Sequence, residues 1–232
     1  MSVFSELADY IDNLYRNPYC VPHDESRAFV KIFRKLLSEE EVRFAMLLSS
    51  NPETAVQVSE RTGLSVKECG DRLQTLSGKG IILSRASDGK KRYNLAPFCP
   101  GILEFLQSEY LDADVSGYLQ EYVDEINRYI YGKAKQEGKT ERIAVNESIE
   151  IKPYSLSFEE AVLYIDRGGR YSLSDCMCRS AKHFLGEGQR HTVENMCIQT
   201  VEYADFYIRT GRGKEATRDE VIRVLKKAEE EH

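Results

Sequence analysis

Between Ser38 and Leu95 the chain carries three helix-start signatures and one hairpin signal in close succession, and few folds accommodate that order. Ser38-Glu39-Glu40-Glu41, Thr54-Ala55-Val56-Gln57 and Ser65-Val66-Lys67-Glu68 each set a hydroxyl three residues before Glu or Gln. In that pattern side chains and backbone N–H groups satisfy one another at a helix start. Val42, Ala45, Met46 and Leu48 give the first helix an apolar side, and Cys69, Leu73 and Leu76 do the same for the third. Gly63 and Gly78 stand where the second and third helices should end. Ile81 to Arg85 and Arg92 to Leu95 then flank Ser87-Asp88-Gly89-Lys90, whose Asp-Gly pair suits a tight hairpin turn. Three short helices and a hairpin predict a winged helix-turn-helix over residues 35–97.

The rest reads as mostly α with a minor α+β part. Residues 1–34 form a helical arm, with Leu7, Ile11, Leu14 and Tyr15, then Phe29, Ile32, Phe33 and Leu36, at helical spacing. Pro18 and Pro22 break it. Such an arm packs on its own domain or on a second copy, so a homo-oligomer is one expectation. Residues 98–142 read as a helical connector and linker, with Leu119, Tyr122, Val123, Ile126 and Ile130 on one helix face and Gly132 to Arg142 as the linker. The last domain, 143–232, begins near Ile143. It holds a helix capped by Ser157, an extended Arg170-Tyr171-Ser172-Leu173-Ser174, a helix started by Thr192, and a last helix capped by Thr217.

Chemistry concentrates in that domain. Cys176 and Cys178 are two apart, so in an extended segment both thiols leave one face. Arg179 sets a positive charge beside them, which favours thiolate over thiol. Cys197 arrives from the expected later helix, and His183 and His191 lie between. Thiolates gathered this way suit an iron–sulfur cluster or zinc alike. The plainer alternative stands beside it. Cysteine is among the most buried residue types, and Cys197 lies on an apolar stripe with Val193, Val201, Ala204 and Ile208. The eighteen residues between Cys178 and Cys197 match no standard zinc spacing.

The run Leu173-Ser174-Asp175-Cys176-Met177-Cys178-Arg179, then Phe184-Leu185-Gly186-Glu187-Gly188, then Glu194 to Cys197, resembles the 4Fe–4S ferredoxin family of anaerobes. So do Pro97-Phe98-Cys99-Pro100-Gly101-Ile102, Val145-Asn146-Glu147-Ser148-Ile149 and the tail from Gly211-Arg212-Gly213-Lys214-Glu215 through Lys226-Lys227-Ala228-Glu229-Glu230. The resemblance covers roughly residues 35–232. It implies an N-terminal winged helix, a linker, a Cys-x-Cys-Arg domain and often a C-terminal ferredoxin module. Carried over residue by residue, it implies metal ligation by Cys176, Cys178 and Cys197, with 4Fe–4S favoured and zinc second. The family's further cysteine falls where this chain has Gln189-Arg190-His191, so His191 is the candidate fourth ligand, ahead of His183 or a thiol from outside the domain such as Cys99. No Cys-x-x-Cys run follows, so the ferredoxin module is not expected in this polypeptide.

Two functions of different classes follow. The first is a redox accessory or electron-transfer protein, with the winged helix docking a redox partner protein. The second is a winged-helix transcriptional regulator, possessing a redox or metal sensor, that contacts DNA phosphates through Arg85, Lys90, Lys91 and Arg92. Lys67 and Arg72 on the expected recognition helix are offset by Glu68 and Asp71, which disfavours the second. So does the net charge of −6. No phosphate loop, dinucleotide fingerprint or nucleophile–base motif points to an enzyme. No window reaches transmembrane length and the acidic start lacks a signal-peptide core, so the expected location is the cytoplasm, where the six cysteines stay reduced.

Overall fold

A computed structural model describes residues 2–15, 24–106, 110–136, 157–167 and 169–231, with the side chains of 99, 100 and 130–136 set aside. Most of the expected linker, the Val145–Ile149 match and Cys20 lie outside the described residues. The chain is mostly helical with small antiparallel sheets.

Two amphipathic helices, α1 (Val3–Tyr15) and α2 (Ala28–Leu36), lead into α3 (Glu39–Ala45), α4 (Ala55–Thr62) and α5 (Val66–Gly78). Ser38 and Thr54 make complete reciprocal caps with Glu41 and Gln57, whereas Ser65 accepts from the Glu68 N–H alone. Gly63 ends α4 at φ 75°, a left-handed conformation that costs glycine little. The strands β1 (Ile82–Ser87) and β2 (Lys90–Leu95) pair antiparallel from Ile82–Leu95 to Ser87–Lys90. Asp88 at φ 52° and Gly89 at φ 69° turn the hairpin, the tight turn that an Asp-Gly pair favours.

The apolar arm spends its hydrophobic face inside the chain: Leu7, Ile11, Phe29, Ile32 and Phe33 are fully buried. Tyr10 donates to the Leu48 carbonyl at 2.7 Å and Tyr15 to that of Leu95. Those residues pack into this chain's own core. The stretch expected to be a connector also enters that core. A wide turn at Phe98–Ile102 runs into α6 (Leu103–Phe105), and α7 (Ala113–Gln136) lies along α2. Phe98 meets Tyr122 edge-on with ring centres 4.4 Å apart, so the residues after the hairpin are held by aromatic packing.

The C-terminal part contains α8 (Phe158–Asp166), β3 (Tyr171–Ser174), α9 (Met177–Phe184), β4 (Cys197–Thr200), α10 (Val201–Arg209), β5 (Lys214–Ala216) and α11 (Arg218–Glu230). Its three-stranded sheet has the order β4-β3-β5, all antiparallel. Ile165, Tyr171, Leu173, Ala216 and Val221 make a small second core. Phe206, Tyr207 and Ala181 instead join the large core of the N-terminal half. Gly213 permits the close approach of β5 to β3, since a Cβ there would stand 2.8 Å from the Leu173 carbonyl oxygen. Among the described residues no helix is long and apolar enough to cross a membrane.

Candidate thiol site

Cys176 and Cys178 do come together, by a route other than the extended face expected for them. The strand β3 ends at Ser174, Cys176 is the N-terminal cap of α9, and Cys178 lies in that helix's first turn. A capping residue keeps extended dihedrals while its side chain turns toward the first-turn N–H groups. Cys176 has φ −79° and ψ 106°, with no full capping bond, and its sulfur pairs with Cys178. The hydrogen bond from Cys178, then the N–H of Arg179 and its positive charge, lower the Cys176 pKa to about 6 against burial. The same bond, the partial desolvation of its sulfur and the neighbouring Cys176 hold the Cys178 proton well above the ordinary thiol range, although the residue as a whole is exposed. One proton thus leaves the pair readily and the second is retained.

Arg179 owes its place to two anchors. It donates to the Thr192 carbonyl at 2.7 Å and to Glu231 Oε2 at 2.6 Å, tying the start of α9 to the far end of α11.

Cys197 is not on a helix begun by Thr192. It opens β4, paired with Ser174 of β3. The apolar spacing around Cys197 suits a helix turn, but the open edge of β3 needs backbone partners, and β4 supplies them. The preceding loop folds over the α9 start, with Cys176 N–H on the Val193 carbonyl at 2.9 Å and Asn195 N–H on Asp175 Oδ1 at 3.0 Å. Burial is the main cause that raises the Cys197 pKa, followed by the charge of Cys176, while Gln199 and Ser174 hydrogen bonds oppose it. All three thiols therefore share one electrostatic neighbourhood. Where β4 meets α10, Val201 sits at φ 51°, a strained state for a β-branched residue.

The histidines are placed differently. His183 donates from Nε2 to the Gly188 carbonyl at 2.8 Å, and His191 Nε2 accepts from Arg190 Nε at 3.4 Å. Among the described residues no group of three or more His, Cys, Asp or Glu side chains gathers closely enough to hold a metal ion. The structure thus assembles the Cys176–Cys178 pair, brings Cys197 within electrostatic reach, and does not place His191 with them. The Cys99 side chain lies outside the described residues.

Sequence spacing missed Glu104, Tyr207 and Gln199. Glu104 raises the pKa of both Cys178 and Cys197 as a minor cause, and Tyr207 donates to the Glu104 carbonyl at 2.6 Å. Burial pushes the Tyr207 hydroxyl well above its ordinary value. These residues come from distant segments, and no local motif announces them. Two clefts meet at Glu104 and Tyr207: a polar one of 480 Å³ with Asp175, Ser180 and Arg212, and a more apolar one of 430 Å³ with Cys197, Phe105 and Tyr203.

The hairpin cations are largely engaged. Arg85 pairs with Glu202 at 3.1 Å, Lys91 reaches Gln74 at 2.7 Å and Arg92 reaches Gln57 at 3.4 Å, while Lys90 is exposed at the turn. On α5, Lys67 pairs with Asp71 at 2.7 Å and Arg72 with Glu40 at 2.6 Å and Glu68 at 2.9 Å.

No protein-family model, curated protein or solved structure matches this chain.

Proposed function

We propose that the chain is a redox accessory protein whose C-terminal thiols hold an iron–sulfur cluster, or zinc as second choice. The observation that carries the reading is the Cys176–Cys178 pair. A hydrogen bond joins the two sulfurs, and that bond, with helix N–H groups and Arg179, lowers the Cys176 pKa to about 6 and favours its thiolate. The donor chemistry fits a thiophilic metal: two paired thiols, a third in the same field and a fixed cation that offsets accumulated negative charge. A cluster supplies one-electron transfer when bound. Cys176 and Cys178 are the first two ligands on this reading; Cys197 and His191, which the structure does not gather with them, would have to close on the pair as the third and fourth. Gln199 and Ser174 orient Cys197 through their hydrogen bonds, and Arg179 holds the α9 start against α11.

On the same reading, α3–α5 with the β1–β2 hairpin form a winged helix that docks a protein partner. The saturation of Lys67 and Arg72 by acidic neighbours supports docking over sequence-specific DNA reading.

Iron, sulfide and zinc analysis with absorbance spectra of anaerobically prepared protein tests the proposal. Cys176→Ser and Cys178→Ser should each lose most of the metal and keep the N-terminal half folded. His191→Ala should retain clearly less metal than His183→Ala. Equal metal content in wild type and both cysteine variants would reject the metal centre, whereas equal retention in the two histidine variants would reject only the fourth ligand.

A further inference from the structure

Arg85 and Arg92 stand directly opposite each other in the β1–β2 ladder. Like charges in that position repel at close range, and a sheet tolerates them where something offsets the field. A third guanidinium reaches the same place from α10: Arg209 donates to Ser84 Oγ at 3.3 Å and to the Ser84 carbonyl. The three arginines line one cleft of 360 Å³ with Ser87, Glu202 and Asp205. Its two carboxylates offset the three arginines only in part. Glu202 pairs with Arg85, but Asp205 is held by Arg170. Among the described residues Arg85 Nε is buried with no hydrogen-bond partner, so one donor of a half-buried guanidinium lacks an acceptor there. Beside the cleft, burial and then the charge of Arg209 lower the Lys91 pKa, a sign of the same positive field.

We propose that the cleft between the β1–β2 hairpin and α10 binds a phosphate-like oxyanion through Arg85, Arg92 and Arg209. Guanidinium groups present paired N–H donors that match a tetrahedral oxyanion in two-point contacts, and three of them here approach from three elements, β1, β2 and α10. Ser87 adds a hydroxyl on the hairpin side. The volume exceeds what one phosphate fills, so the group arrives on a larger body, either a phosphorylated small molecule or a nucleic-acid backbone. The site is independent of the thiol chemistry and stands whether or not a metal is held there.

Inorganic phosphate titrated into the 232-residue chain, followed by amide chemical shifts, tests the site, with a random-sequence DNA duplex as the second probe. Saturable shifts at β1, β2 and α10 are expected. Arg92→Gln should weaken binding at least about tenfold, the loss of one charge-assisted contact. Glu202→Gln removes the competing carboxylate and should tighten binding severalfold, an effect that a misfolded variant cannot mimic. Phosphate binding without retention of the duplex assigns the ligand to a phosphorylated small molecule. Duplex retention that phosphate displaces and Arg92→Gln abolishes assigns it to a nucleic-acid backbone. The proposal is overturned if neither probe saturates, or if both variants bind as wild type does.

Discussion

A hydrogen bond joins the Cys176 and Cys178 sulfurs, and the chain around them sets which thiol gives up its proton first. The Cys176 pKa lies near 6, below its ordinary 9.0, because the Cys178 hydrogen bond, helix N–H groups and Arg179 favour the thiolate. A group with a lowered folded pKa stabilises the fold above its unfolded value. That contribution is therefore present above about pH 9 and is lost as pH falls through about 6. Cys178 moves the other way and stays protonated across that window. In metal-free protein, iodoacetamide should modify Cys176 with a half-maximal rate near pH 6 and leave Cys178 largely unmodified. Cys178→Ala should move the Cys176 midpoint up toward the ordinary thiol range. An unchanged midpoint in that variant, read by peptide mass spectrometry, would show that the pair does not control the first proton.

At the scale of elements, two glycines with left-handed backbones separate local turn chemistry from tertiary fit. Gly89 turns the β1–β2 hairpin at φ +69° with open space around it. Gly80, at φ +78° after α5, would place a Cβ 2.8 Å from the Phe105 Cβ and carbonyl oxygen. Gly89→Ala should cost about 1 kcal/mol, the backbone penalty alone. Gly80→Ala adds a collision with backbone and should cost more than about 3 kcal/mol. Urea unfolding of both variants checks the difference, and equal costs would mean that the Phe105 segment yields easily. The hairpin glycine was readable from Asp88-Gly89 and its flanking strands. The demand at Gly80 was not, because Phe105 is distant in sequence.

For the whole molecule, the C-terminal sheet is fastened to the N-terminal half by side chains from α10 and the turn after it. Arg212 donates from Nε to the Phe105 carbonyl at 3.0 Å and from its terminal nitrogen to those of Ser77 and Gly78 at 2.8 Å each. Its guanidinium also lies over the Phe206 ring at 5.0 Å. Arg212→Met keeps the packing and removes the donors, so it should destabilise by about 2–4 kcal/mol through unsatisfied carbonyls. Hydrogen exchange should then speed up in α10 and the α5–β1 turn before it does in α1 and α2. Uniform exchange would mean that other contacts hold the two halves.

The elements that local signals predict are those whose signal is complete within a few residues. Reciprocal caps at Ser38 and Thr54, the Asp88-Gly89 turn and the apolar stripes of α1, α2 and α7 need nothing distant, since hydrogen bonds and helical period act over one turn. The Cys-x-Cys pair with its cation was visible for the same reason. Tertiary structure decided everything that needs a partner from elsewhere. It set Cys197 on a strand, because the β3 edge required hydrogen bonds, and split the thiol pair across a helix start. It drew the expected connector into the main core and set Glu104 and Tyr207 beside the sulfurs. Helical and strand periods coincide over four residues, so the apolar spacing around Cys197 could not distinguish them until β3 lay alongside.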